Sequence, residues 1–187
     1  MSAPRLLLPR PPATFGTARL SARPPREDDG PAVFAAYAND PEVTRYLVWP
    51  AYERVEPLTA FLRDCIAAWE KGEGHLAWLL CLKGTDAPIG TLGVTVSPRG
   101  RALFGYALGR KYWGHGFAAE ALTHVVDWAL AQPAIFRAWA FCDVENTASM
   151  RVMEKAGMTR EGILRRWQVC PTLGPELRDC CVYAKVR

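Results

Sequence analysis

The 187-residue chain is half hydrophobic, carries 22% charged residues and has a formal net charge of +4, a balance that suits a water-soluble domain with one sizeable core. That excess is too small and too dispersed for a nucleic-acid surface, and no apolar run approaches the roughly 20 residues that span a bilayer, so neither nucleic acid nor membrane is an expected partner. The six cysteines lack C-x-x-C pairs and the three histidines lack H-x-x-x-H spacing, so no metal site is expected, and without a signal-peptide core the thiols read as reduced in a cytoplasmic protein.

Pro4, Pro9, Pro11 and Pro12 deny residues 1–14 the donors of a regular element, which predicts an extended or disordered arm ahead of one domain over 15–187. Ala18 to Arg23 alternates like a short strand, and Glu27, Asp28 and Asp29 form the acidic first turn of a helix carrying Val33, Phe34 and Tyr37. Asn39-Asp40-Pro41 breaks it. An aromatic loop, Tyr46 to Pro50, leads to an amphipathic helix from Val55 to Lys71, ended by Gly72 and Gly74. His75 to Leu82, Pro88 to Val96 and Arg101 to Leu108 read as strands of an antiparallel meander.

Next comes KYWGHGFAAEAL, Lys111 to Leu122. Phe117, Ala121, Leu122, Val125, Val126, Ala129 and Leu130 recur at helical spacing, so Gly114 and Gly116 sit at a helix start. The first N–H groups of a helix lack partners and carry partial positive charge, and glycines without Cβ let an anion approach them. The third glycine of G-x-G-x-x-G is replaced by Ala119, and no G-K-[ST] follows, so the dinucleotide and P-loop fingerprints are absent. A tight turn that merely precedes a helix is the other reading of this pattern. Beyond it, Pro133 stops the helix and Arg137 to Cys142 reads as a strand. Thr147 to Ala156 reads as a helix with Asn146 as N-cap and Gly157 as its stop. Met158 to Gln168 and Asp179 to Arg187 close the chain as strands, giving an α+β layout around a mixed sheet.

KYWGHGFAAEAL, VENTASMRVMEKAGM and TREGILR together resemble the GNAT superfamily of acyl-CoA-dependent N-acyltransferases, most closely its RimJ/RimL-like, ribosomal-protein acetyltransferase branch. The resemblance runs from Thr17 onward and implies a mostly antiparallel mixed sheet flanked by about four helices and splayed at an acetyl-CoA site. It implies that the strand ending with Tyr106, Ala107 and Leu108 binds the pantetheine arm. The turn of Lys111, Trp113, Gly114, His115, Gly116, Phe117 and Ala118 would hold the pyrophosphate. Lys111 stands where the family usually has Gln or Arg, keeping charge without the bidentate fork. Asn146 matches the family's pantetheine-binding Asn, a role compatible with capping the helix.

Many members carry a Tyr that protonates the departing thiolate. Here that position is Met153, and the resemblance offers Ser149 instead, whose alternative is a solvated or back-bonded helix serine. An amine attacks a thioester only when unprotonated, and Glu161 matches the branch's Glu in its E-G motif as general base. Its alternative is a surface carboxylate paired with Arg160 or Arg165. The implied activity is acetyl transfer from acetyl-CoA to a primary amine, a peptide N-terminus or a small molecule, by direct attack, with a homodimer as a possible assembly. A fold-sharing, non-catalytic acyl-CoA-binding or regulatory module is the competing class.

Overall fold

The computed structural model describes residues 8–187. The expected arm therefore falls partly outside them, while residues 8–14 run irregularly along the body. The Trp78 indole N–H donates to the Pro12 carbonyl at 3.0 Å, and the Arg10 guanidinium donates to the Trp69 carbonyl.

A short hairpin of β1 (Phe15–Gly16) and β2 (Leu20–Arg23) opens the fold. The expected first helix is one run of right-handed turns whose hydrogen-bond spacing changes along it: a 3-10 turn at Glu27–Asp29, α1 (Gly30–Val33), and a π turn at Phe34–Ala38. Pro41 then begins α2 (Pro41–Thr44), capped by the Asp40 carboxylate on the Glu42 N–H at 3.0 Å. α3 (Val55–Lys71) ends at Gly72, whose φ of 70° is the left-handed stop that glycine adopts without strain.

The meander follows as β3 (His75–Leu82), β4 (Pro88–Ser97) and β5 (Arg101–Leu108). α4 (Phe117–Ala131) crosses to β6 (Arg137–Asp143), α5 (Thr147–Lys155) leads to β7 (Thr159–Val169), and β8 (Leu177–Val186) returns between β6 and β7. The sheet order is β1-β2-β3-β4-β5-β6-β8-β7. Every pairing is antiparallel except β5 with β6, which are joined by the α4 crossover.

Two apolar layers hold this sheet. On one face Trp78, Leu80, Leu92, Val94 and Phe104 pack under Ala121, Leu122, Val125 and Val126 of α4. On the other, Leu79 and Ala107 lie beneath Val33, Tyr37, Leu58 and Leu62 from the helices before β3. Period-2 alternation thus feeds both faces of the same strands.

Where β4, β5 and the following turn converge, backbone passes close to backbone. A Cβ on Gly90 would lie 2.4 Å from the Ala107 carbonyl oxygen and 2.8 Å from Leu108 Cδ1. Neither the carbonyl nor the strand behind it can swing away cheaply. Gly90→Ala is expected to destabilise the fold by about 2 kcal/mol, read as a melting temperature lower by roughly 4–8 °C; an unchanged melting curve would contradict this packing.

Candidate active site

β5 and β6 begin side by side and then separate. Only Arg101–Leu103 pairs with Arg137–Trp139, so Phe104 to Leu108 has no strand neighbour on that edge. The gap opens into a cleft of about 1020 Å³ that reaches both faces of the sheet. Tyr106, Ala107, Leu108, Asn146 and Ser149 line it, as do Trp113, Gly114, Gly116, Phe117 and Ala118. Chain segments far apart in sequence are brought to one wall by the crossover alone.

The glycine turn is built as its sequence predicts. Lys111 lies in a 3-10 turn at Arg110–Tyr112, and Gly114 and Gly116 both have φ of 80°, with Gly116 as N-cap of α4. A Cβ on Gly114 would meet nothing within 4 Å, so the space in front of the turn is open. The Trp113 indole N–H donates to the Leu108 carbonyl at 2.6 Å, fastening the end of β5 to the turn. Lys111, His115 and Glu161 are not on the cleft wall.

A carboxylate braces this turn from behind. Glu120 accepts from the Thr17 hydroxyl at 2.5 Å, from the Arg19 N–H at 2.9 Å and from the Arg19 guanidinium at 2.7 Å. The same guanidinium donates to the His115 carbonyl at 2.9 Å. These donors hold the Glu120 carboxyl below its usual range against the opposing effect of burial. The sequence does not announce Thr17 and Arg19 as partners of Glu120, because nothing local ties a β-hairpin to a turn about a hundred residues later.

α5 supplies the opposite wall. Asp143, buried at the end of β6, accepts from Arg178 at 2.5 and 3.1 Å and from the Glu145 N–H at 2.9 Å, which fixes the bend into the helix. Asn146 Oδ1 then accepts from the Ser149 N–H at 3.0 Å as an N-cap. Its Nδ2 is not used by that cap. Ser149 Oγ lies 2.8 Å from the Tyr106 hydroxyl, which also donates to the Ser149 carbonyl at 3.1 Å. The single Tyr106 proton can serve either Ser149 oxygen, and when it goes to the carbonyl the serine hydroxyl donates to the phenol. Burial raises the Tyr106 pKa above its ordinary value and keeps the phenol neutral. The neighbouring Cys142 thiol is likewise pushed up by burial, to about 12, and stays protonated.

Glu161 stands elsewhere. Both its oxygens are taken by Arg137, one at 2.8 Å, and that guanidinium lowers its pKa. The partner differs from the expected Arg160 or Arg165: Glu161 sits at a register shift between Arg160 and Gly162 and pairs with Arg137 of β6. A depressed pKa and a bidentate cation make it a weak proton acceptor. Met153, at the position of the family tyrosine, is fully buried in the core.

The Ser149 hydroxyl can be removed with little structural loss, since the Tyr106 hydroxyl retains the Ser149 carbonyl. Ser149→Ala is expected to lower stability by about 1 kcal/mol or less, with a melting temperature within roughly 4 °C of the parent; a larger fall would mean the hydroxyl is a structural tie.

Comparison with known proteins agrees with this architecture. A model of the acetyltransferase (GNAT) domain matches residues 19–159. The uncharacterized N-acetyltransferase YoaA of Bacillus subtilis is 31% identical over 153 residues, covering 81% of this chain and 85% of that protein. A crystal structure of a GNAT-family acetyltransferase from Bacillus anthracis superposes with a TM-score of 0.79 at 25% identity, over 92% of this chain and 98% of that one. The ribosomal L7/L12 alpha-N-protein acetyltransferase RimL, solved in complex with coenzyme A, shares the fold with a TM-score of 0.79 at 21% identity, over 91% and 95% of the two chains. The parted strands, the glycine turn and these matches have one reading: the chain belongs to the GNAT acetyltransferase family.

Proposed function

We propose that the protein transfers an acetyl group from acetyl-CoA to a primary amine, either a peptide N-terminus or a small molecule, by direct attack of the amine on the thioester. The observation that carries this reading is the unpaired edge of β5 lying between an α4 N-terminus and the Ser149 hydroxyl. The coenzyme A complex of the structurally similar RimL supports the same donor.

Each part of the cleft then has a task. Backbone groups of Phe104 to Leu108 without a strand partner, the Leu108 carbonyl held by Trp113 excepted, hydrogen-bond the pantetheine arm like a missing strand, with the Asn146 amide opposite. The α4 N-terminus and the open glycine turn receive the pyrophosphate, since unpaired N–H groups and the helix dipole favour negative charge there. A backbone N–H at the parted end of β5 stabilises the oxyanion formed on attack. Ser149 donates its proton to the leaving sulfur and is resupplied from the attacking nitrogen or solvent. A thiolate leaves readily, so this acid contributes less than it would in amide hydrolysis.

Coenzyme A at 100 times its Kd is expected to stabilise the protein by about 2.7 kcal/mol, raising the melting temperature by roughly 5–10 °C, whereas free phosphate has no such effect. In a thiol-release assay against amines and N-terminal peptides, Ser149→Ala should lower kcat roughly 10- to 100-fold with coenzyme A affinity unchanged. Wild-type turnover in that variant would remove Ser149 from the chemistry. Glu161→Gln should stay within about threefold of the parent; a larger loss would restore Glu161 as the base. Coenzyme A binding without acetylation of any amine would instead identify an acyl-CoA-binding module.

A further inference from the structure

If Glu161 is engaged by Arg137, the proton of the incoming ammonium needs another acceptor. The face of the sheet opposite α4 and α5 holds one. Cross-strand register sets three residues in a row, Ala77 opposite Gly93 and Gly93 opposite Gly105, flanked by the row His75, Thr95 and Leu103. The small row forms a bare strip of sheet. His75 leans across it: a Cβ on Gly93 would lie 2.3 Å from His75 Nε2, so the ring occupies the space that a side chain at Gly93 would take. Its other nitrogen, Nδ1, is 3.2 Å from Thr95 Oγ1. With Nδ1–H donated to Thr95, Nε2 keeps its lone pair.

From Nε2 the way to the reacting edge is open. Gly105 is one strand spacing, about 4.8 Å, from Gly93, and a Cβ on Gly105 would meet nothing within 4 Å. Beyond Gly105 is the edge of β5 that has parted from β6. His75, Gly93, Gly105 and Tyr106 line the same cleft, so the imidazole and the Ser149 pair approach that edge from opposite faces of the sheet.

We infer that His75 is the general base that takes the proton from the acceptor ammonium, directly or through one water. This rests on the acetyl-transfer reading above. His75 Nε2 accepts one proton from R–NH3+, the freed nitrogen lone pair forms the C–N bond, and the C–S bond breaks as the tetrahedral oxyanion collapses. The second nitrogen proton ends on the sulfur by way of Ser149, and His75 returns its own proton to solvent. The products are the amide, the thiol and one H+.

The surroundings keep the imidazole neutral. The residue retains contact with solvent, yet the protein packed around the ring disfavours the imidazolium and lowers its pKa below the ordinary value. Tyr37, Tyr52 and Cys65, on its side of the cleft, are all raised by burial and remain uncharged near neutrality. Glu42, Arg45 and Tyr46 lie on the same side around α2. Asp143, Arg151 and Lys155 belong to the α5 wall, with Asp143 paired to Arg178.

The test is the pH dependence of kcat/KM for one accepted alkylamine. A neutral base acting on an ammonium substrate gives a profile that rises with pH, breaks at the imidazole pKa and stays level until the amine itself deprotonates. His75→Gln should lower kcat/KM at pH 7.5 by roughly 100-fold and replace the level region with a continuous rise toward the amine pKa. Its coenzyme A affinity and melting temperature should match the parent. The C2–H proton resonance of His75 in the parent should titrate at the kinetic break. Activity of His75→Gln within threefold of the parent, or an unchanged break in its profile, would overturn the role while leaving acetyl transfer intact. A parent protein that acetylates no amine would overturn both.

Discussion

Two parallel strands that share only three residue pairs govern this molecule. A sheet gains most by pairing every backbone donor and acceptor, yet β5 leaves its last five residues unpaired toward β6. The parting is enforced from both ends. The Trp113 indole anchors the end of β5 to the glycine turn, while Asp143 at the end of β6 is held by Arg178 of β8 and accepts from the Glu145 N–H at the bend into α5. The sheet's missing pairings become its binding capacity, and the unsatisfied α4 N-terminus lies at the same opening.

The two walls of the cleft differ in how they are polarised. The α4 side offers backbone donors and a helix dipole. The α5 side offers hydroxyls and a thiol kept neutral by burial, since the Tyr106 phenol and the Cys142 thiol both have raised pKa values. Carboxylates near the cleft are held in ion pairs, Glu120 with Arg19 and Asp143 with Arg178, while Arg151 and Lys155 leave the α5 wall positively charged. Such a site can bind an anionic chain along its backbone while keeping a low-dielectric region around the reacting bond.

Much of this was legible in residue patterns. The meander, the two long helices and the α5 cap follow from period and capping chemistry, and the φ values of Gly114 and Gly116 are what a G-x-G before a helix requires. The first helix runs from Glu27 to Ala38 as its acidic start and Asn39-Asp40-Pro41 stop imply, but the change of hydrogen-bond spacing along it, from 3-10 through α to π, has no local sequence signal. The insertion of β8 between β6 and β7 was also invisible, since pairing order depends on the whole sheet. At the site, the Tyr106–Ser149 contact and the Arg137–Glu161 pair each join strands or helices distant in sequence. Local period cannot report which side chains a crossover will bring together.

The clasp of Glu120 by Thr17 and Arg19 gives the first hairpin a significance its size conceals. The family model begins at residue 19, inside that hairpin, yet the Thr17 hydroxyl belongs to the brace behind the glycine turn. A fragment trimmed to the matched span would lose β1, the Thr17 donor and the Pro12 carbonyl that accepts from Trp78 at one end, and β7 and β8, the latter the partner strand of β6, at the other. The working unit is thus wider than its recognisable signature at both ends, and at the first of them the margin is set by hydrogen bonds to the arm and hairpin.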